Sequence, residues 1–301
     1  MAATKNKTIR FNSSLCKSGS EMLQAILGQH PKVYATATSP VIDYLNASRR
    51  AVGQSQSAQA QFPDQRKNSL NGACYGLMQG FYSRLTEKEV VVDKNREWPI
   101  HCKWLEDILG NSQSVRMVMM VRDLRDVVAS FERTYRNHGH VPFGELASEE
   151  DTAKPESIPL QLQERVKKWM NIIPPLGPTL KILKEASRRK LIMPINDDGT
   201  PEGEERPILA VRYEDFCAYP QKFMPIIEAH LELEQHAYDF TDLKTNCDAE
   251  IPGAFGPFGN HQISGPVRPP NEGGFSDVLD EEDEIFIGHA AEWYFELFKY
   301  I

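Results

Sequence analysis

The chain has 301 residues, 41% of them hydrophobic, so it can bury a sizeable core. Its 34 basic and 42 acidic side chains give a net charge of -8, which argues against a broad electrostatic interaction with nucleic acid or an anionic membrane. The N-terminal segment lacks the apolar core of a signal peptide, and no apolar run approaches the length of a membrane span. We therefore expect a soluble, cytoplasmic protein.

Four short apolar runs have the composition of β-strands, and helical segments lie between them. The predicted strands are residues 8–11, 90–92, 115–121 and 208–211. Residues 115–121 are nearly all apolar, as expected of a central strand that is buried on both faces. The alternation predicts an α/β fold of three layers, in which helices flank a central parallel sheet.

Nine segments are predicted helices: residues 20–29, 40–51, 70–85, 102–109, 123–135, 160–172, 176–189, 220–231 and 282–300. The acidic run at residues 280–284 marks the start of the last one, because negative charge is favourable at the positive end of a helix dipole. Four segments are predicted loops: residues 55–67, 137–157, 196–206 and 248–275. None has the composition of a linker, so we expect residues 1–301 to form one domain.

The cysteines are odd in number and widely spaced. Five are present, and no two of them form a Cys-x-x-Cys pair. This pattern favours reduced thiols in small core positions over a zinc site, and we expect no metal centre.

The segment between the first strand and the first helix has the composition of a P-loop-like turn that binds phosphate. Its sequence is Leu-Cys-Lys-Ser-Gly-Ser-Glu-Met, residues 15–22. Gly19 between two serines lets successive backbone N–H groups converge on an anion, and the following helix adds its positive end. Lys17 adds a mobile charge. An ordinary N-capped helix after a loop would have the same composition.

A second polar pair follows the predicted central strand. Arg122 stands at the carboxyl end of that strand, and Ser130 lies in the helix behind it. Ligands of open α/β sheets lie across strand carboxyl ends, and an arginine with a serine suits a second phosphate. The alternative is an ion pair of Arg122 with Asp123 or Asp126.

Together, these two segments resemble those of the sulfotransferases that use 3'-phosphoadenosine 5'-phosphosulfate (PAPS). Residues 16–20 resemble the family's 5'-phosphosulfate loop, and Arg122 and Ser130 resemble its 3'-phosphate pair. Residues 211–216, which contain Tyr213, resemble a Tyr-Glu-Asp-Leu segment that recurs later in these enzymes. The similarity spans most of the chain.

The closest resemblance is to a bacterial-type branch that is also related to tyrosylprotein sulfotransferases. It rests on residues 29–33, 38–40 and 92–98. Two positions depart from the family pattern: Cys16 replaces a proline, and Glu21 stands where a small hydroxyl residue is usual. A carboxylate at that position repels a phosphosulfate unless it is turned away or paired.

The resemblance implies in-line transfer of a sulfuryl group from PAPS to a hydroxyl or amine acceptor, without an obligatory metal and with adenosine 3',5'-bisphosphate as product. Such a transfer relies on positioning and electrostatics. The serine hydroxyls of the loop would add donors to its backbone. The donor-binding residues that the resemblance implies are Lys17, Ser18, Gly19, Ser20, Glu21, Met22, Arg122, Ser130, Tyr213 and Arg268. The acceptor would be a small molecule, a carbohydrate or a peptide.

Two lysines have implied catalytic roles. Lys17 would neutralise charge on the leaving phosphate. Lys94 matches a lysine that contacts the transferring group in the tyrosylprotein branch. The alternative for Lys94 is a surface ion pair with Asp93 or Glu97.

The general base is not identified by the resemblance, because the histidine and the glutamate that the two branches use are both missing here. The candidates are Glu97, His101, Asp43 and His261.

Two rival functions remain. An ATP-dependent phosphotransferase also has a phosphate loop after its first strand, but Gly-x-x-x-x-Gly-Lys-Ser/Thr is absent and Lys17 precedes the glycine. A sulfotransferase-like scaffold that only binds a nucleotide or a carbohydrate is favoured by the missing base and by Glu21.

Overall fold

Six strands form a central parallel sheet within the residues that the computed structural model describes, which are 6–138, 162–172, 175–196, 198–245, 263–268 and 274–300. They are β1 (Thr8–Asn12), β2 (Val33–Ala35), β3 (Val90–Lys94), β4 (Met117–Val121), β5 (Ile192–Pro194) and β6 (Ile208–Arg212). Their order in the sheet is β2-β3-β1-β4-β6-β5, and every neighbouring pair is parallel. A short antiparallel ribbon lies apart from the sheet: β7 (Leu243–Lys244) and β8 (Ser264–Gly265).

Helices connect the strands and cover the sheet. They are α1 (Ser20–Leu27), α2 (Val41–Gln54), α3 (Gln56–Gln59), α4 (Pro63–Leu85), α5 (Cys102–Leu109), α6 (Leu124–His138), α7 (Leu162–Asn171), α8 (Leu176–Arg188), α9 (Tyr213–Ala218), α10 (Pro220–His230), α11 (Glu281–Ala290) and α12 (Glu292–Phe298). Two 3₁₀ turns flank α5: Trp98–His101 and Gly110–Ser112.

Each face of the sheet has its own hydrophobic core, as the central strand shows. Met117, Met119 and Val121 of β4 pack into a core with α2, α4, α5 and α6, whereas Val118 and Met120 pack on the other face with α1, α9 and α10. All five side chains are completely buried, because successive residues of a strand point to opposite faces and helices cover both. The fold is therefore the predicted three-layer α/β arrangement.

The carboxyl ends of β1 and β4 flank a crevice, because the order of strands along the chain reverses between them. After β1 the chain proceeds to β2 and β3 on one side, and after β4 it proceeds to β5 and β6 on the other. In sheets of this kind, ligands bind at such a switch point. The two segments singled out in the sequence, residues 15–22 and the stretch after residue 121, start from these two strand ends.

The four predicted strands are present, but β2, β5, the ribbon of β7 and β8, and helix α9 were not predicted. Two other predictions were wrong. The supposed loop at residues 55–67 contains α3 and the start of α4, which begins at Pro63. The predicted last helix breaks at Ala291 into α11 and α12. Its acidic start is confirmed, because the Asp280 carboxylate accepts a hydrogen bond from the Asp283 N–H at 2.9 Å and caps α11. The predicted loops at 137–157 and 248–275 lie largely outside the described residues.

Candidate active site

The loop between β1 and α1 is held against the end of β4. The N–H of Ser13 donates to the Val118 carbonyl at 3.0 Å, and the N–H of Leu15 donates to the Met120 carbonyl at 2.9 Å. The Ser18 hydroxyl donates to the same Met120 carbonyl at 2.9 Å and to that of Leu15. The loop therefore has a fixed path before α1 begins.

Backbone N–H groups of this loop are left available for an anion. Lys17 and Gly19 have positive φ values of 57° and 82°, and Gly19 precedes α1 without any side-chain cap. The N–H groups of Ser18, Gly19 and Ser20 donate to no acceptor in the part of the chain that the structure describes. Such a turn at a helix N-terminus concentrates positive potential at one point. The loop can therefore bind a phosphate or sulfate group.

Gly19 also lies very close to another side chain, which is a second reason for a glycine at this position. A Cβ atom at this position would lie 2.7 Å from Cδ2 and Cε2 of the Tyr213 ring. Tyr213 begins α9, so this helix packs its aromatic ring directly over the loop. The close approach leaves room only for glycine.

Arg122, at the carboxyl end of β4, reaches across to the loop. Its Nη1 donates to the Lys17 carbonyl at 3.1 Å, and its guanidinium carbon lies 4.9 Å from the centre of the Tyr213 ring. The expected alternative, an ion pair with Asp126, is present but loose, with Nη2 3.8 Å from the carboxylate. The buried Nε atom of Arg122 has no hydrogen-bond partner among the described residues. The side chain therefore retains hydrogen-bonding capacity for a ligand.

The backbone of Arg122 is fixed by the C-terminal helix. The Tyr294 hydroxyl donates to the Arg122 carbonyl at 2.8 Å and accepts from its N–H at 3.2 Å. Nearby, the buried Glu214 carboxylate accepts from the Asp123 N–H at 3.1 Å and from the Tyr300 hydroxyl at 2.8 Å. Burial raises the pKa of Glu214. These contacts position the residues that follow β4 and leave the guanidinium facing the loop.

Ser130 lies on the same face of α6 as Asp126, one turn further along. Its carbonyl accepts from the Thr134 hydroxyl, whereas its own hydroxyl bonds to no described residue. Arg122 precedes α6 and approaches Asp126 in its first turn, so Ser130 lies one turn beyond that contact.

Glu21, the carboxylate that departs from the family pattern, is paired. One of its oxygens lies 2.5 Å from Nζ of Lys94, and the other accepts from the Ser20 hydroxyl at 2.8 Å. Lys94 ends β3, and its side chain is 5% exposed, so its ion pair with Glu21 is largely buried. The surface ion pair with Asp93 or Glu97, which the sequence offered as the alternative role of Lys94, is therefore not the one that forms. The pairing offsets the repulsion that an isolated Glu21 would exert on an anion in the loop.

A cleft of about 420 Å³ opens on the other side of Lys94. Residues that follow β2 and β3 form one wall, and the start of α8 forms the other. They are Thr38, Ser39, Pro40, Asp43, Lys94, Asn95, Arg96, Glu97, Pro175, Pro178, Thr179 and Ile182. The cleft therefore adjoins the anion-binding loop, and Lys94 lies at the boundary between them.

Two of the four candidate bases line this cleft, Glu97 and Asp43. His101 lines a separate groove between α2, α4 and α5, although its Nε2 atom is 4.0 Å from the Glu97 carboxylate. The facing His101 ring lowers the pKa of Glu97, which makes this carboxylate a weaker base.

A buried carboxylate lies next to the cleft and was not found from the sequence. Asp93, at the end of β3, accepts from Nε1 of Trp98 at 2.7 Å and from the Tyr82 hydroxyl. Ser39 is one of the residues that line the cleft, although it is only 4% exposed. Its hydroxyl lies 3.1 Å from that of Tyr82 and accepts from the Val41 N–H at 3.2 Å. Burial raises the pKa of Asp93 to about 6, with hydrogen bonds from Ser39 and Trp98 opposing the rise. Ser39 belongs to residues 38–40, which resemble the bacterial-type branch, but nothing in the sequence of α4 indicates that Tyr82 contacts the site.

Residues 11–175 match the model of the sulfotransferase family, and they make up more than half of the chain. The chain belongs to the sulfotransferase family. Membership supports sulfuryl transfer as the class of reaction, in agreement with the sequence resemblance.

Solved sulfotransferases are similar to this one at low sequence identity. The sulfotransferase domain of the Synechococcus PCC 7002 olefin synthase is 15% identical, with a TM-score of 0.48, over 97% of this chain and 96% of that one. The sulfotransferase domain from the curacin biosynthetic pathway is 14% identical, with a TM-score of 0.44, over 95% and 98%. Mouse sulfotransferase SULT7A1, complexed with PAP, is 12% identical, with a TM-score of 0.44, over 95% and 83%. No curated protein matches the chain.

Two further residues predicted for the donor site have different positions. Met22 is buried in α1, and its Cε would lie 3.2 Å from a Cβ atom at Gly19, whereas Arg268 is exposed after β8. His261 lies outside the described residues. Within the described ranges, no group of three or more His, Cys, Asp or Glu side chains is arranged to hold a metal ion, and no helix is long and apolar enough to cross a membrane.

Proposed function

We propose that this sulfotransferase transfers a sulfuryl group from PAPS to a hydroxyl or amine acceptor, in line and without an obligatory metal. The observation that carries the proposal is the hydrogen bond of 3.1 Å from Arg122 to the Lys17 carbonyl. It joins a guanidinium to an anion-binding turn, so that one ligand with two phosphate groups can bind both. A nucleotide with phosphates at both its 3' and 5' positions fits this requirement.

The residues of the loop would bind the 5'-phosphosulfate. Free N–H groups of Ser18, Gly19 and Ser20 would donate to it, and Lys17 would neutralise charge on the leaving phosphate. The serine hydroxyls, which the resemblance assigns to the ligand, are used within the protein instead. Ser18 donates to two carbonyls, and Ser20 donates to Glu21.

Arg122, at the end of β4, and Ser130, on α6, would bind the 3'-phosphate. Arg122 offers its unpartnered Nε, and Ser130 offers its hydroxyl. The Tyr213 ring, which lies over Gly19 and against the guanidinium, would close one side of the nucleotide site.

The acceptor would enter the cleft beside Lys94. When bound, PAPS supplies the sulfuryl group and leaves as adenosine 3',5'-bisphosphate. Lys94 lies between the loop and the cleft, so its ammonium group can stabilise the charge that spreads over the transferring group. The mixed polar and apolar walls suit a small molecule, or one end of a carbohydrate or peptide.

The two rival functions receive less support. A phosphotransferase loop of the nucleoside-triphosphate type places its lysine after the glycine, whereas Lys17 precedes Gly19 and its carbonyl accepts from Arg122. The binding-only scaffold was favoured by Glu21, but the ion pair with Lys94 compensates that charge.

Labelled sulfate tests this proposal. PAPS carrying a radioactive sulfuryl group would be incubated with the protein and panels of phenols, sugars, lipids and peptides, with a chelator present. We expect label on at least one acceptor, together with an equal amount of adenosine 3',5'-bisphosphate. Transfer of labelled phosphate from ATP, with none from PAPS, would contradict the proposal.

The Glu21–Lys94 pair leads to a prediction for the donor site. We expect Glu21→Gln to strengthen binding of adenosine 3',5'-bisphosphate about fivefold, equivalent to about 1 kcal/mol. The substitution removes a negative charge near the loop and leaves the positive charge of Lys94 without that counter-charge. Isothermal titration calorimetry would measure this. Glu106→Gln, which removes a surface carboxylate paired with Lys103, is the control and should leave the affinity unchanged. Weaker binding in Glu21→Gln would show that Glu21 supports the ligand.

A further inference from the structure

The three candidate bases with described positions are poorly suited to take the acceptor's proton. Asp43 and Glu97 are exposed, and the His101 ring lowers the pKa of Glu97. His101 itself lines another groove. An efficient general base has a pKa near the working pH and a hydrogen-bonded path to the reacting hydroxyl.

The Ser39–Tyr82–Asp93 contacts meet the requirement for a path. Ser39 is the only member of this chain of contacts that lines the cleft among the described residues. Its Oγ lies 3.1 Å from the Tyr82 hydroxyl, and the Tyr82 hydroxyl donates to the Asp93 carboxylate. The path therefore runs from a nearly buried residue of the cleft wall to a carboxylate that is completely buried.

The surroundings of Asp93 keep it basic. The groups that face it are Tyr82 from α4, Trp98 from the 3₁₀ turn and Ser39 from the turn before α2, all of them uncharged donors. Lys94, its neighbour in β3, pairs with Glu21. None of the described residues places a cation against this buried carboxylate, and desolvation raises its pKa to about 6.

We propose that Ser39 and Tyr82 relay the acceptor's proton to Asp93, which takes the part of the missing general base. The inference rests on the proposed sulfuryl transfer. As the acceptor oxygen forms its bond to sulfur, its proton passes to Ser39 Oγ, the Ser39 proton passes to Tyr82, and the Tyr82 proton passes to the Asp93 carboxylate. The bond between sulfur and the 5'-phosphate oxygen breaks, and its electron pair leaves with the bisphosphate. Asp93 then returns the proton to solvent by the reverse path.

Three variants test the relay by the rate of labelled sulfate transfer. Ser39→Ala should lower kcat about 100-fold, the scale of a lost general base, while Ser39→Thr restores most of the rate because it keeps a hydroxyl. Ser48→Ala is the matched control, because Ser48 lies within α2, outside the cleft lining, and its hydroxyl donates to the Tyr44 carbonyl. Affinity for adenosine 3',5'-bisphosphate should be unchanged in all of them, which separates the relay from the donor site.

The pH profile separates a proton acceptor from a structural residue. Since only ionised Asp93 accepts a proton, kcat of the wild-type protein should rise with pH and reach half its maximum near pH 6. Tyr82→Phe removes the hydroxyl that links Ser39 to Asp93, so it should lower kcat about as far as Ser39→Ala does and also remove this inflection. Asp93→Asn should abolish the inflection.

The outcomes distinguish failure of the proton relay from failure of the proposed sulfuryl transfer. A kcat within twofold of wild type in Ser39→Ala, or an unchanged inflection in Asp93→Asn, would overturn the relay and leave sulfuryl transfer intact. Absence of transfer in the wild-type protein, together with absence of bisphosphate binding, would overturn both.

Discussion

Arg122→Ala should weaken binding of adenosine 3',5'-bisphosphate about 100-fold, equivalent to about 3 kcal/mol, because charge-assisted hydrogen bonds to a phosphate are lost. The Arg122 Nε is buried without a partner, and its Nη1 reaches the loop at the Lys17 carbonyl. Binding of adenosine 5'-phosphate, which lacks the 3'-phosphate, should fall by less than about threefold. Calorimetric titration of both ligands measures the difference.

The matched control is Arg122→Lys. A lysine keeps the charge but loses the planar donor pair, so it should restore part of the affinity and not all of it. Thermal denaturation of each variant would show that the fold persists. Equal losses for the two nucleotides would contradict a 3'-phosphate role and make Arg122 a support of the Lys17 backbone.

Gly19→Ala should both destabilise the protein and disable the donor loop. A Cβ atom at φ 82° would be placed 2.7 Å from the Tyr213 ring, so we expect a loss of about 3 kcal/mol from backbone strain and overpacking. As the loop shifts to relieve the contact, its N–H groups no longer converge, and bisphosphate affinity should fall about 30-fold. Urea denaturation and calorimetry measure the two effects.

The structure supplies a control for this substitution. Gly72 lies in α4 with open space around it, so Gly72→Ala should be neutral or slightly stabilising. Adding Tyr213→Ala to Gly19→Ala removes the clash but not the strain, and it should recover part of the lost stability. Wild-type affinity in Gly19→Ala would show that this backbone geometry is not needed.

The central strands were predictable from the sequence, and the edge strands were not. Residues 117–121 and 208–211 are apolar runs, which is the pattern of strands buried on both faces. β2 and β5 have three residues each, too few for a periodic pattern to emerge. Pro63, taken for a loop residue, occupies the first position of α4, where proline is favourable. The break at Ala291 lies between alanine and glutamate, and Gly288, inside α11, is the nearest residue with a low helix propensity.

The parts of the candidate site that lie within one stretch of sequence were predictable. The contacts between segments that are distant in sequence were not. Residues 15–22 form a loop after β1, and Arg122 follows β4, so strand ends alone placed both in the crevice. The Glu21–Lys94 pair depends on the neighbouring positions of β1 and β3 in the sheet, where Asn12 pairs with Lys94. The contacts of Tyr82 depend on how α4 packs on the sheet. Sequence periodicity specifies neither strand order nor helix packing.

Binding of adenosine 3',5'-bisphosphate, compared with ATP and Mg²⁺, tests the two-phosphate site most directly. Isothermal titration calorimetry in the presence of a chelator should show tight binding of the bisphosphate, because the N–H groups of the loop and the Arg122 guanidinium need no metal to bind it. Binding of ATP with Mg²⁺, and no binding of the bisphosphate, would contradict the assignment of this site to PAPS.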